Sequence, residues 1–243
     1  MSSLLASPSQ ILLTGATSGI GAAMLAMLLA DGHRVTAVAR RATALAAQQR
    51  LTALDCDLAN PSELDAMLEI LRSAPPFDVI INNAALQSPL ALMDPGFDPA
   101  LLAREAMINL VAPARIAQAL LPAMAARGTP AAIVNISSGL AFYPKTTTAL
   151  YCATKAGLHS LSQSLRYQLA STQVRIIEAI LPLVDTPMTA GRGSGKMDAG
   201  AAAAAILAGI AAGRDEIYIG KAQLLRWLGA IAPAIPRAIL KRA

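Results

Sequence analysis

The stretch Gln10-Ile11-Leu12-Leu13-Thr14-Gly15-Ala16-Thr17-Ser18-Gly19-Ile20-Gly21 decides the fold. A short apolar run leads into a glycine-rich turn, and an apolar helical pattern follows from Ala22 to Ala30. Strand, glycine turn and helix in that order form the context in which a glycine motif gains meaning. Gly15 lets the chain turn tightly, Gly19 lets backbone approach a phosphate, and Gly21 lets helix and strand pack closely. The helix N-terminus offers unpaired N–H groups and the positive end of its dipole to a pyrophosphate. The spacing is Gly-x-x-x-Gly-x-Gly, not the commoner Gly-x-Gly-x-x-Gly. On this segment alone, a glycine turn without a ligand remains the alternative.

Further strand-like runs occur at Arg34–Ala39, Leu51–Asp55, Val79–Asn82, Ala131–Ser137, Arg175–Leu181 and Glu216–Ile219, with helical patterns between them. Such alternation predicts βαβ units in a parallel sheet covered by helices on both faces, an α/β doubly wound fold of about seven strands. No repeat, linker or low-complexity segment divides residues 1–243, and 243 residues suit one large α/β domain. Apolar residues make up 55% of the chain and aromatics only 3%. The core must therefore be aliphatic, with close helix packing through alanine. Two cysteines, Cys56 and Cys152, form no framework, and a reducing cytoplasm is the expected home. Met1–Gln10 shows no basic region followed by a hydrophobic core, and no apolar run reaches about eighteen residues. Neither a signal peptide nor a spanning helix is expected.

A second motif lies far from the first. Tyr151 and Lys155 are four residues apart in Tyr151-Cys152-Ala153-Thr154-Lys155, and Ser138 lies thirteen positions before the tyrosine. On a helix this spacing stacks phenol and ammonium on one face. A nearby cation favours the phenolate and is expected to pull the phenol down from its ordinary pKa of about 10. A tyrosine so tuned exchanges protons near neutral pH, with the serine hydroxyl as a second group for the same oxygen. In the predicted sheet these segments, Asn82-Asn83 and Pro182-Leu183-Val184-Asp185-Thr186 all fall at carboxyl ends of strands, where such folds bind ligands.

Thr14-Gly15-x-x-x-Gly19-x-Gly21, Asn82-Asn83-Ala84, Asn109, Ser138 and Tyr151-x-x-x-Lys155 occur in that order. Together they resemble the short-chain dehydrogenase/reductase family in its compact single-domain form, from about residue 10 to about residue 190. Ser137-Ser138-Gly139-Leu140-Ala141-Phe142 and Pro182-Leu183-Val184-Asp185-Thr186 further resemble a bacterial subgroup named for D-alanine esterification of teichoic acid. That name is weak evidence of substrate.

The resemblance implies hydride transfer between a nicotinamide and a carbonyl or alcohol. Tyr151 would be the acid or base, and Lys155 would tune it and hold the nicotinamide ribose. Ser138 would fix the substrate oxygen. Asn109 would break a helix and hold a water on a proton path to Lys155. Gly15, Thr17, Ser18, Gly19, Ile20 and Gly21 would cradle the dinucleotide. Asp57 and Leu58 would meet the adenine, Asn83 and Ala84 the ribose side, and Pro182, Val184 and Thr186 the carboxamide and pyrophosphate. The alternative for Asp57 is a cap on the helix opened by Pro61. Strand two ends in Ala39-Arg40-Arg41, where a carboxylate would select NAD; an arginine suits a 2′-phosphate, so NADP(H) is expected over NAD(H).

Two departures stand out: Ala85 where the family has glycine after Asn-Asn-Ala, and Leu183 where Pro-Gly is usual. Ala85 is costly if its φ is positive. Leu86, Leu140, Phe142, Leu183 and Met188 are expected to line an apolar substrate pocket. Residues 187–198, with Gly191, Gly193 and Gly195, fit a mobile lid or a plain surface loop. The net charge of +5 is matched by Lys221, Arg226, Arg237, Lys241 and Arg242, with no acid beyond Lys221. Residues 221–243 form a basic amphipathic segment suited to an anionic membrane surface, a partner subunit or the chain's own core. The body lacks the basic, aromatic face of a nucleic-acid binder. Family precedent adds a homodimer or homotetramer, with two long helices, expected at Leu101–Ala126 and Leu150–Thr172, facing a neighbour. The competing reading is a nucleotide-binding regulator without turnover.

Overall fold

The strands lie in the order β3-β2-β1-β4-β5-β6-β7, all parallel. They are β1 (Gln10–Thr14), β2 (Arg34–Ala39), β3 (Leu51–Asp55), β4 (Val79–Asn82), β5 (Ala131–Ser138), β6 (Val174–Leu181) and β7 (Glu216–Tyr218). The computed structural model describes residues 4–5, 8–88 and 90–241, so Arg242 and Ala243 of the basic tail and Met1–Ser3 of the leader reading lie outside it. The expected strands are all present, with ends shifted by a residue at β5, β6 and β7. Strand order reverses between β1 and β4, and a crevice opens there beyond the strand ends.

Alternation along each strand sends side chains into two separate cores. Ile11, Leu13, Val79, Ile81, Val134 and Ile177 face helices α1 (Gly19–Ala30) and α6 (Ala199–Ala211). Leu12, Ile80, Ile133 and Ile176 face α2 (Pro61–Ser73) and α4 (Ala112–Ala126). Both strand faces are covered, which is why the strands appear as unbroken apolar runs rather than alternating ones.

Helix boundaries follow local chemistry. Asn60 caps α2, its side-chain oxygen accepting from Ser62 N–H at 3.1 Å and Glu63 N–H at 3.4 Å, ahead of Pro61 in the first turn. The expected single helix Leu101–Ala126 is interrupted. Helix α3 (Ala100–Ala106) passes into a π turn at Met107–Val111, where Ala112 N–H reaches back to Met107 O, before α4 resumes. Ala100–Ala126 as a whole is long and apolar enough to cross a membrane, but Ala112, Ile116, Leu120 and Met124 are buried in the second core. Helix α5 (Ala149–Gln168) starts after Thr148, whose φ of 57° is the one left-handed non-glycine among the described residues. It stops short of the expected Thr172, whose hydroxyl donates to Leu169 O at 2.9 Å and closes the chain into a turn. The C-terminal segment forms α7 (Lys221–Ile231) and α8 (Ala234–Lys241).

The glycine turn is held by its neighbours. Thr14 Oγ1 accepts from the N–H of Asn83 and of Ala84, both at 3.0 Å. The Asn83 amide donates to Thr14 O at 3.0 Å and Gly15 O at 3.2 Å. Gly15 and Gly19 have φ of 67° and 53°. Gly21 has no room for a side chain, because a Cβ there would lie 2.0 Å from Gly15 O. That neighbour is backbone and cannot rotate away. Gly21→Ala is expected to destabilise the fold by about 1–3 kcal/mol or more through overpacking, measured as a lower urea midpoint.

Candidate active site

The crevice at the β1/β4 switch is a cleft of about 750 Å³. Apart from Asn109, every residue expected in the cofactor cradle or the Ser138-Tyr151-Lys155 set lines it: Gly15, Thr17, Ser18, Gly19, Ile20 and Gly21 at the turn, Arg40, Asp57 and Leu58 beyond β2 and β3, Asn83 and Ala84 after β4, Ser138 after β5, Tyr151 and Lys155 on α5, and Pro182, Val184 and Thr186 after β6. Ser18 begins α1 without a side-chain cap, so the first N–H groups of that helix stay open toward the cleft.

Helix α5 positions Tyr151 and Lys155. Asn109, buried in the π turn, accepts from Leu86 N–H and donates to Leu86 O, both at 2.8 Å, and donates to Thr154 Oγ1 at 3.1 Å. Thr154 in turn donates to Tyr151 O at 2.9 Å. Asn109 therefore does not face the cleft; its side chain ties the loop after β4 to the first turns of α5. Deeper in the core, Asn82 donates to Asn135 Oδ1 at 2.8 Å and Asn135 donates to Ser162 Oγ at 2.9 Å, which joins β4, β5 and α5.

Lys155 is 2% exposed, and its amine donates to Ile136 O at 2.7 Å. Burial lowers its pKa to about 8 against the opposing pull of Glu178 and Glu105. Both carboxylates are buried. Glu178 pairs with His159 Nδ1 at 2.7 Å. Glu105 accepts from Ser88 N–H at 3.1 Å, and burial, the larger effect, raises its pKa. These partners of Lys155 escaped the sequence reading. The signal available was Glu178 itself, a carboxylate in the middle of an otherwise apolar strand.

The tyrosine departs from expectation. Burial raises the Tyr151 phenol above its ordinary range, with Cys152 and Glu105 acting in the same direction. A hydrogen bond with Ser138 and the charge of Arg192 oppose the rise. The expected lowering by Lys155 is not what the chain produces. The amine is drawn to the Ile136 carbonyl and sits 5.6 Å from the phenol ring centroid, in a pocket where burial dominates.

At the far end of the cleft, Asp57 pairs with Arg104 at 2.9 Å and accepts from Ala59 N–H at 3.0 Å. It does not cap α2, since Asn60 does. Burial works against its charge, but Ala59 N–H, Arg104 and Arg40 together hold its carboxyl below the usual value. Arg40 and Arg41 are exposed on the rim and make no ion pair among the described residues.

Leu86, Leu140, Leu183 and Met188 line the cleft as expected, but Phe142 does not. The short turn Gly139–Ala141 swings its ring onto His159, with centroids 4.6 Å apart. Leu225 from α7 and Leu240 from α8 close the apolar end instead. Ala85 carries no strain, because its φ is not positive. Cys152 is a buried packing residue. In the 187–198 stretch, Gly191, Gly193 and Gly195 have φ of 71°, 63° and 62° and turn the chain back. The stretch is fastened by Met197 N–H to Leu183 O at 2.9 Å and by Lys221 to Gly195 O at 3.3 Å.

Residues 9–196 match the sequence model of the short chain dehydrogenase family. The chain belongs to that family. It is 36% identical over 181 residues to the oxidoreductase DltE of Bacillus subtilis, covering 72% of this chain and 71% of that one. The subgroup likeness is thereby borne out. Human L-xylulose reductase is 33% identical over 183 residues, covering 72% and 71%. Among solved structures, a short chain dehydrogenase of Burkholderia cenocepacia in complex with NADP superposes with a TM-score of 0.86 at 27% identity, covering 96% and 97% of the two chains. One from Sphingobium yanoikuyae in complex with NADPH superposes with a TM-score of 0.79 at 29% identity, covering 94% and 95%.

Proposed function

We propose that this protein is an NADP(H)-dependent oxidoreductase that moves a hydride between the nicotinamide and a carbonyl or secondary alcohol of a small substrate with an apolar body. The observation that carries this reading is that Ser138, Tyr151 and Lys155 open onto the same cleft as the glycine turn. The residues present fit a dinucleotide. A Cβ at Gly21 would collide with Gly15 O, and the uncapped start of α1 offers its N–H groups at the turn. Arg40 and Arg41, which make no ion pair among the described residues, suit a 2′-phosphate, and two structural relatives carry NADP or NADPH.

The bound cofactor supplies or accepts the hydride. Tyr151, with its phenol raised by burial, stays protonated at neutral pH. It suits the general acid of carbonyl reduction, releasing its proton to the substrate oxygen. Ser138, which lines the cleft with the phenol, would hold the same oxygen. Lys155 holds the ribose hydroxyls of the nicotinamide half and returns a proton toward Tyr151. Asn109 acts through position, by tying the loop after β4 to α5, and in this reading its π turn would hold a water that links Lys155 to solvent.

Turnover of NADPH with a panel of ketones tests the reading. Tyr151→Phe is expected to lose about 100-fold or more in kcat while keeping its Kd for NADPH. Arg40→Ala is expected to lose about tenfold in preference for NADPH over NADH. NADPH binding without turnover across the panel would favour the nucleotide-binding regulator instead.

Lys155 sets a pH dependence. Its folded pKa of about 8 lies below the ordinary lysine value of 10.5, so the amine loses its charge as pH rises through about 8. NADPH affinity, followed by nicotinamide fluorescence, is expected to weaken through that pH in the wild type. It should stay flat in Lys155→Arg, whose guanidinium remains charged.

The basic tail supports a second contact. Trp227 is 62% exposed and Ile231 81%, beside Leu224, Ile235 and Ile239, while Leu225 and Leu240 face the cleft. This outer face, with Arg226 and Arg237, suits an anionic membrane surface, and the alternative is another subunit of a homodimer or homotetramer. Co-sedimentation with anionic liposomes is expected to drop about tenfold in a Trp227→Gln/Ile231→Gln variant. Equal sedimentation, with a variant that shifts to a smaller species in light scattering, would assign the face to a subunit.

A further inference from the structure

We propose that the substrate carries a carboxylate, and that Arg192 receives it at the apolar end of the cleft. The substrate class is then an oxo acid, or the corresponding hydroxy acid, with an aliphatic or aromatic body. This rests on the hydride-transfer reading for the role of the cleft, and it deepens that reading by naming the group that orients the substrate.

Arg192 lines the cleft from the 187–198 stretch. Its guanidinium makes no hydrogen bond or ion pair among the described residues, and its Nη1 is shielded from solvent without a partner. A shielded guanidinium nitrogen left unpaired costs free energy, so a site containing one is built for an anion. The backbone beneath is defined: Arg192 N–H donates to Thr189 O at 3.1 Å, between the left-handed Gly191 and Gly193.

Lys145 also lines the cleft without an ion pair among the described residues, but only Arg192 of the lining cations has a shielded nitrogen left without a partner there. Lys196 holds Asp185 at 3.1 Å and Thr189 O at 2.7 Å. Arg226 lies over the Tyr218 ring at 4.7 Å. Among the described residues Arg192 has no counter-ion. Asp185 is taken by Lys196, and Asp198 accepts from Ala201 N–H at 2.8 Å as the cap of α6. The one acid among the described lining residues is Asp57, which is paired with Arg104.

Position selects between the two available anions. The cofactor phosphates would have their own partners in the α1 N-terminus and the Arg40-Arg41 rim. Arg192 instead acts on the reacting end, where its charge opposes the rise of the Tyr151 phenol. Around that end stand Leu86, Leu140, Leu183, Met188, Leu225 and Leu240. An apolar wall with one unpaired guanidinium matches an apolar molecule ending in one carboxylate, which the planar fork grips bidentately.

The test separates this inference from the one beneath it by measuring binding without chemistry. Saturated aliphatic and aryl carboxylic acids, which have no carbonyl to reduce, are titrated into the NADPH-loaded full chain by calorimetry. Alcohols of the same carbon skeleton serve as uncharged controls. Acids are expected to bind about 10–100-fold more tightly than alcohols. Arg192→Gln should remove that difference, Arg192→Lys should keep part of it, and the Kd for NADPH should change less than twofold. In turnover, matched ketones and oxo acids should show the same preference in kcat/KM and lose it in Arg192→Gln. Equal binding of acids and alcohols by the wild type overturns the proposal. So does an Arg192→Gln variant that weakens NADPH rather than the acids, since the guanidinium then serves the cofactor. Acid binding that depends on Arg192, with no turnover of any oxo acid, supports the carboxylate site and sinks the hydride-transfer reading alone.

Discussion

The burial of Lys155 is the constraint on which the site depends. An ammonium almost removed from water lies against the carbonyl of Ile136, with Glu178 and Glu105 supplying negative charge from the sheet and from α3. A charge in such a place persists only if its surroundings are fixed. The surroundings are accordingly tied together. Asn109 links the loop after β4 to α5, Glu105 holds Ser88, and the Asn82–Asn135–Ser162 chain joins two central strands to the same helix. Moving α5 would break several buried hydrogen bonds at once, so Tyr151 is held rigidly as a consequence of stabilising the lysine.

The opposite wall is held by close approach, not by charge. Gly15 and Gly19 take left-handed conformations, and Gly21 brings α1 so near the turn that no side chain fits. Asn83 fastens the end of β4 to the same turn through two hydrogen bonds. The two walls meet at the point where strand order reverses, since crossovers leave β1 and β4 on opposite sides there. A cleft at this position follows from topology, and its chemistry follows from the residues that end each strand.

Much of this was legible before any coordinates. Unbroken apolar runs marked the strands because the sheet is covered on both faces, and strand-end motifs marked the cleft because parallel strands end on one edge. What the sequence leaves open shares one cause: each case concerns a side chain whose direction depends on a neighbour distant in sequence. Phe142 turns to His159, not to the substrate, and Asn109 turns to Leu86 and Thr154. Leu225 and Leu240, assigned to a basic tail, close the cleft because α7 and α8 fold back over it. The break at Met107–Val111 is invisible to helical periodicity, since a single π turn shifts the pattern without ending it.

By itself the sequence determined the strand count, the parallel sheet, the position of the glycine turn and the placing of Tyr151 and Lys155 on one helix face. Each of these is a local property: apolar period, glycine placement, or a spacing of four on one helix. Tertiary structure alone decided the electrostatics. A four-residue spacing brings an amine near a phenol, yet the depth at which the pair is buried set the direction in which each titrates. Burial raised Tyr151 and lowered Lys155 because desolvation depends on everything packed around a group, and that packing is assembled from β5, β6, α3 and the 187–198 stretch. The same holds for Arg192, whose sequence neighbours suggest a solvated loop and whose folded position leaves it facing the cleft without a partner.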